Sequence, residues 1–333
     1  MNAPIVHGGG ITAAAALHGG RPEDWLDLST GISPFPADLP DIAPRAWHRL
    51  PDAHLIDDAR RAARGYYRSG EILPLPVPGT QSVIQLLPRL LDQNRRVAIA
   101  GPTYGEYERA FRSAGCDVDR IDGLDAVRDD HALVVIVNPN NPDGRIYAPD
   151  RLIGLGRRMA GQGGLLVVDE AFGDMVPESS VVPAVADHPN LIVLRSFGKF
   201  FGLAGLRLGF VVAARPILDT LEQALGPWAV SGPALSIAAS LLRSDTSAIG
   251  AAITQRRDAL IAVLEGSGLR ICGGTALFQL VEDEVAGALH AHLCAHHILV
   301  RKFDYAAHWL RFGVTADSDG DNRLAKALQS FDR

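Results

Sequence analysis

The sequence predicts an α/β fold, with a large, doubly wound and mostly parallel sheet domain and a small α+β domain after it. Three observations carry this expectation. Short runs rich in Val, Ile and Leu, at 97–100, 133–137, 165–168, 191–194 and 208–212, lack polar alternation, as strands covered on both faces do. Helical periodicity separates most of them, at 104–113 and 150–160. Unusual polar clusters fall where these runs end, which is where open α/β sheets gather ligands.

In chain order, residues 1–50 are rich in Gly and Pro, with one short helix over 11–17 that stops at Gly19-Gly20. Trp25-Leu26-Asp27-Leu28-Ser29 reads as a strand entering the turn Thr30-Gly31-Ile32-Ser33-Pro34. A stretch this long and irregular wraps a surface or builds a site. His7-Gly8-Gly9-Gly10 reads either as an anion loop or as a loosely ordered terminus. A helix spans 55–67, and 77–82 opens another. Beyond Arg215 come helices over 216–225, 233–242 and 247–264, then strands near 276–281, 298–301 and 308–314, with a helix between and one after. The expected division is an N-terminal segment 1–50 joining the small lobe and the site, a large domain 51–215 and a small domain 216–333.

Composition excludes several classes. A net charge of −6 with scattered arginines offers no nucleic-acid surface. Cys116, Cys272 and Cys294 have neither disulfide-framework nor zinc spacing. Apolar runs stop short of the roughly 18 residues of a membrane span, and no leader pattern opens the chain, so a cytoplasmic location is expected. His290, His292, His296 and His297 share one helix without an acidic or cysteine partner at fitting spacing; they read as surface histidines, and no metal is expected.

Lysine occurs three times, as Lys199, Lys302 and Lys326. The last two sit among charged or helix-surface residues. Lys199 follows the apolar run 191–194 and precedes Phe200-Phe201-Gly202-Leu203. An ammonium there is costly, because burial disfavours its charged form, and a lysine of lowered pKa suits Schiff-base chemistry. Around it lie further strand-end groups. Gly79-Thr80 heads a helix, where free N–H groups favour a phosphate. Asn138-Pro139-Asn140-Asn141-Pro142-Asp143-Gly144 follows one strand, and Asp169-Glu170 ends the next. Ser196 and Lys199 end a third strand, and Arg207 begins a fourth.

These motifs, NPNNPDG, DEAF and SFGK followed by LRLG, resemble in order and spacing the fold type I pyridoxal-phosphate enzymes, in the class I/II aminotransferase branch, over about residues 30–320. The resemblance implies the PLP-dependent transferase fold type I, pyridoxal 5'-phosphate as cofactor and Lys199 as the catalytic residue linked to its aldehyde. It implies that Asp169 holds the pyridine nitrogen protonated and that Asn141 bonds the phenolic oxygen. Gly79, Thr80, Ser196 and Arg207 would bind the phosphate, and Tyr104 would stack on the ring. It also implies a homodimer. Two positions depart from the family: Phe172 replaces a tyrosine that donates to the phenolic oxygen, and Leu50 replaces one that reaches the neighbouring subunit's cofactor.

Within the family, His7-Gly8-Gly9 and Trp25–Pro34 are similar to the threonine-phosphate decarboxylase branch of cobalamin biosynthesis. That resemblance implies decarboxylation of L-threonine O-3-phosphate to (R)-1-amino-2-propanol O-2-phosphate. His7, Gly31, Ile32, Arg301 and Arg311 would then contact the phosphorylated substrate, the two arginines facing its two anions. A histidinol-phosphate type of aminotransferase and a non-catalytic cofactor-binding regulator are the alternatives, since residue types do not show which substrate bond is presented to the ring.

Overall fold

The computed structural model describes residues 5, 7–92 and 95–332. They form two compact units. One contains the residues up to Pro36, Pro142–Gly144 and Ser247 onward; the other contains Ala37–Asn141 and Arg145–Thr246.

The chain opens with α1 (Ile11–His18) and β1 (Leu26–Leu28). The larger unit then runs α2 (Arg45–His48), α3 (Ala53–Tyr67), β2 (Leu75–Val77), α4 (Thr80–Leu86), β3 (Arg96–Ala100), α5 (Glu106–Ser113), β4 (Asp117–Ile121) and β5 (His131–Val137). It continues with α6 (Pro149–Ala160), β6 (Leu165–Asp169), β7 (Leu191–Ser196), α7 (Phe197–Phe200), β8 (Gly209–Val212), α8 (Arg215–Leu225) and α9 (Gly232–Leu241).

Its seven strands lie in the order β2-β8-β7-β6-β5-β3-β4. Strands β3 to β7 pair in parallel, while β8 is antiparallel to both β7 and β2. Every residue of β5 is buried, as expected of a strand with helices on both faces. The edge strands β2 and β4 were not legible in the sequence. The first has three residues and contains Pro76; the second mixes Val118 and Ile121 with Asp117, Asp119 and Arg120. Cross-strand register sets Val137, Asp169 and Leu194 level on β5, β6 and β7. The segments that begin at Asn138, Glu170 and Ser196 therefore leave the sheet at one end.

Helices α8 and α9 belong to this larger unit, so its end lies at Thr246 and not at the expected Arg215. Leu218 and Leu221 of α8 enter its core, and α9 packs on α3. Periodicity shows that a helix buries one face, but not which core receives it. The irregular N-terminal stretch divides likewise, at Pro36/Ala37 and not at residue 50.

The smaller unit adds α10 (Ser247–Gly266), β9 (Arg270–Thr275), β10 (Phe278–Glu282), α11 (Ala286–Ala295), β11 (Ile298–Phe303), β12 (Ala306–Gly313) and α12 (Ser318–Gln329). Its sheet order is β1-β11-β12-β10-β9, antiparallel except where β1 joins β11 in parallel with Leu26 level with Ile298. Ala14 and Ala15 of α1 pack with Trp25 and with Cys294 of α11. Of the four histidines expected on one helix, His290 and His292 lie on α11 while His296 and His297 follow its end. His292 Nε2 lies 2.8 Å from the Ala327 carbonyl oxygen, and its ring is tilted against that of His296. No helix among the described residues is long and apolar enough to cross a membrane.

Candidate active site

In the larger unit, Asp169 ends β6 with a side chain only 4% exposed. Its Oδ2 accepts a 2.7 Å hydrogen bond from the Tyr107 hydroxyl, and its Oδ1 accepts one of 3.0 Å from the Ala171 amide. Burial still pushes this carboxyl above its ordinary range, although these donors and the Lys199 charge pull the other way. Lys199 lies on α7, half-buried, with Nζ 5.6 Å from the centroid of the Phe172 ring. The turn that presents it is tight: a Cβ on Gly198 would sit 2.7 Å from Ala204 Cα. Here glycine is required by close approach.

Next to this pair is a second buried charge cluster. Arg195 Nη1 donates to Glu170 Oε2 at 2.7 Å, and its Nη2 lies 3.0 Å from Asp174 Oδ1. Glu170 Oε1 accepts from the Val181 amide, and its Oε2 also accepts from the Ser180 hydroxyl. Arg195 precedes Ser196 and Glu170 follows Asp169, so the cluster ties the ends of β6 and β7 together. The neighbouring acids hold the Arg195 guanidinium above its usual range despite burial.

Gly79, Thr80 and Arg207 converge at the head of α4. Gly79 has φ +73°, and a Cβ there would lie 2.8 Å from Arg207 Nη2. Arg207 itself takes a left-handed conformation at φ 53°, uncommon for a residue other than glycine, while Nη1 donates to the Ala204 carbonyl. Ser196 caps α7, half-buried, and its hydroxyl makes no cap hydrogen bond to the helix.

Asn141 sits half-buried in a loop whose shape its neighbours fix. Asn138 Oδ1 accepts from the Tyr147 amide at 2.7 Å. Asn140 Oδ1 accepts from the Thr103 hydroxyl at 2.6 Å, and its amide donates to the Pro102 carbonyl at 2.9 Å. Tyr104 is held by its hydroxyl, which donates to Gln81 Oε1 at 3.0 Å, while the Gln81 amide donates to Glu106. Its ring meets Tyr107 edge-on.

The residues expected to contact substrate all lie in the smaller unit. Arg301 of β11 stands directly opposite Arg311 of β12. Arg311 is 6% exposed, with its guanidinium 4.7 Å from the Phe278 ring centroid and Nη2 donating to the Ser29 carbonyl at 2.9 Å. Burial, reinforced by Arg301, lowers its pKa to about 10. Ser29 also receives the N-terminal segment. Its hydroxyl accepts from the Gly9 amide at 2.8 Å and donates to Asp27 Oδ1 at 2.6 Å. A Cβ on Gly8 would collide with the Ser29 carbonyl. His7 is exposed beside it, Gly31 is buried and Ile32 half-buried. Of the two readings of His7–Gly10, the structure shows a segment seated on Ser29.

Sequence reasoning gave no role to Tyr107 or Ser29, placed Gln81 only at a helix start, and expected a cationic partner at Asp169-Glu170 without naming Arg195. Nothing in chain spacing connects position 107 to 169 or 29 to 311; only the fold brings them together.

This fold is fold type I of the pyridoxal-phosphate enzymes, and Lys199 and the buried Asp169 lie at the ends of adjacent strands. The family profile of Aminotransferase class I and II matches residues 23–328. The chain belongs to that family. It is 61% identical to a threonine-phosphate decarboxylase from Sinorhizobium sp., over 98% of each chain. It is 42% identical to the threonine-phosphate decarboxylase of Pseudomonas aeruginosa, again over 98% of each. Among solved structures, histidinol-phosphate aminotransferase from Sinorhizobium meliloti, in complex with pyridoxal 5'-phosphate, superposes with TM-score 0.82 at 21% identity, covering 98% of this chain and 94% of that one.

Proposed function

We propose that this protein is a pyridoxal-phosphate-dependent decarboxylase that converts L-threonine O-3-phosphate and a proton to carbon dioxide and (R)-1-amino-2-propanol O-2-phosphate, in cobalamin biosynthesis. The relatives that match nearly the whole chain support the reaction. The observation that carries the substrate class is the opposed pair Arg301 and Arg311: like charges directly across a ladder are unfavourable, and a ligand with two anionic groups relieves them.

The residues present fit the cofactor. Asp169 is a buried carboxylate whose charge calls for a cationic ring nitrogen. Gly79 and the strained Arg207 form a cradle that a side chain at 79 would fill, suited to a phosphate together with Thr80 and Ser196. Asn141 would bond the phenolic oxygen, and Tyr104, fixed at its hydroxyl by Gln81, would stack on the ring. Bound pyridoxal 5'-phosphate supplies an aldehyde for the substrate amine and a ring that accepts the electron pair left when a bond at the α-carbon breaks.

The chain's own work is to choose that bond. Lys199 would hold the cofactor's aldehyde and, as a free amine, would be the group that returns a proton to the α-carbon. Arg301 and Arg311 would take the two substrate anions and so orient the substrate. The Ser29 carbonyl fixes Arg311, and the seated segment brings His7 to the substrate alongside Gly31 and Ile32. The protein works in the cytoplasm as a homodimer. Trp47 and Leu50, 66% and 63% exposed at α2, and Trp228, 55% exposed before α9, supply apolar surface for a second copy.

Incubation with threonine phosphate tests the reaction. Carbon dioxide release without any 2-oxoacid, with borohydride trapping the cofactor on Lys199, is the expected result. Stoichiometric conversion of cofactor to its amine form would assign an aminotransferase instead.

A further inference from the structure

We infer that Tyr107 is a positioning residue that sets on which side of the Asp169–ring nitrogen pair the shared proton rests. The inference deepens the cofactor reading above and depends on it. Tyr107, the second residue of α5, is completely buried and spends its hydroxyl on Asp169 Oδ2 at 2.7 Å, the length of a charge-assisted bond. A buried phenol needs an acceptor, yet a backbone carbonyl would satisfy it; this one donates to the site's carboxylate.

Burial pushes the Tyr107 phenol well above its usual range, so it stays a donor throughout the working pH and stabilises only the ionised aspartate. Other charges facing Asp169 are Lys199 of α7, which also favours the carboxylate, and Glu170 on its own segment, which opposes it. Tyr104 lies edge-on to Tyr107. Without the phenolic donor, Asp169 keeps the Ala171 amide and the Lys199 charge against its burial. Its basicity then rises, and it competes with the ring nitrogen for their proton. A ring that loses that proton is a poorer electron acceptor.

Tyr107→Phe keeps the ring and removes the hydroxyl; site-specific 3-fluorotyrosine keeps a stronger donor. Circular dichroism and melting of each apo chain establish that it folds. In the apo chain, carbon-13 carboxyl NMR should place the Asp169 titration about one pH unit or more higher in Tyr107→Phe, and lower with fluorotyrosine. In chains loaded with nitrogen-15 pyridoxal 5'-phosphate, the ring-nitrogen shift should move toward the unprotonated value in Tyr107→Phe and not with fluorotyrosine. Cofactor dissociation should strengthen or weaken in the same order, with Tyr107→Phe about tenfold weaker than the parent. A folded Tyr107→Phe chain with unchanged carboxyl titration and ring-nitrogen shift overturns this inference alone. A parent chain that binds no pyridoxal 5'-phosphate overturns the cofactor reading and this inference with it.

Discussion

Arg311 faces Arg301 across the β11–β12 ladder, and the Ser29 carbonyl accepts a hydrogen bond from the buried member of the pair. Like charges directly opposite on a ladder oppose one another by about 0.2–1 kcal/mol. Arg301→Gln should raise KM for threonine phosphate about tenfold or more. Arg311→Lys loses the planar fork and should show a similar rise. Steady-state kinetics and thermal melting read both effects, and millimolar inorganic phosphate should raise the melting temperature of the parent more than that of either variant.

Asp169 predicts a pH signature. A carboxyl whose pKa is raised by folding binds more protons folded than unfolded, so stability declines as pH climbs from the ordinary carboxylate range through the raised value. Asp169→Asn removes that slope. Its apo chain should melt about 2 °C or more above the parent at pH 8, with the two curves converging toward pH 4, and it should bind pyridoxal 5'-phosphate more weakly. Scanning calorimetry across pH, with a cofactor titration, checks both arms.

The Glu170–Arg195 contact is a buried ion pair with hydrogen-bonded surroundings. Glu170→Ala leaves an arginine facing Asp174 alone in the interior and should cost about 3–5 kcal/mol of unfolding free energy. Replacing Arg195 by Met leaves two buried acids and should be comparably harmful. Urea unfolding of the two single variants and the double variant measures the coupling, which should exceed the error of additivity for distant sites.

Gly8 has no room for a side chain over the Ser29 carbonyl. Gly8→Ala should lift the leading segment from its seat without touching the core. The expected result is KM higher by about fivefold with melting unchanged, measured by kinetics and calorimetry on one preparation.

Much of this architecture was legible because its strands are covered on both sides. The runs at 133–137 and 191–194 have no polar residue to obscure them, and the clusters at 138–144, 169–170 and 196–199 follow them directly. Lys199 stood out by its apolar neighbours. Edge strand β2 escaped because it is three residues long around Pro76, and β4 because a half-covered strand dilutes the apolar signal. The helix α8 was expected, but amphipathicity does not name the unit it packs in. Tyr107 escaped for a different reason. Its meaning lies in a contact with a residue 62 positions away, and only the pairing of β5 with β6 and the seating of α5 create it.

Strand β1 sits beside β11, which follows it by some 270 residues of chain. During synthesis the larger unit, nearly continuous in sequence, has all its strands outside the ribosome while the first segment still has no sheet to join. Trp25 and the alanines of α1 must wait in solvent until Cys294 and β11 emerge. Nascent chains stalled before that point would offer this apolar stretch to chaperones, and the ladder that pairs Arg301 with Arg311 would be among the last parts of the chain to form.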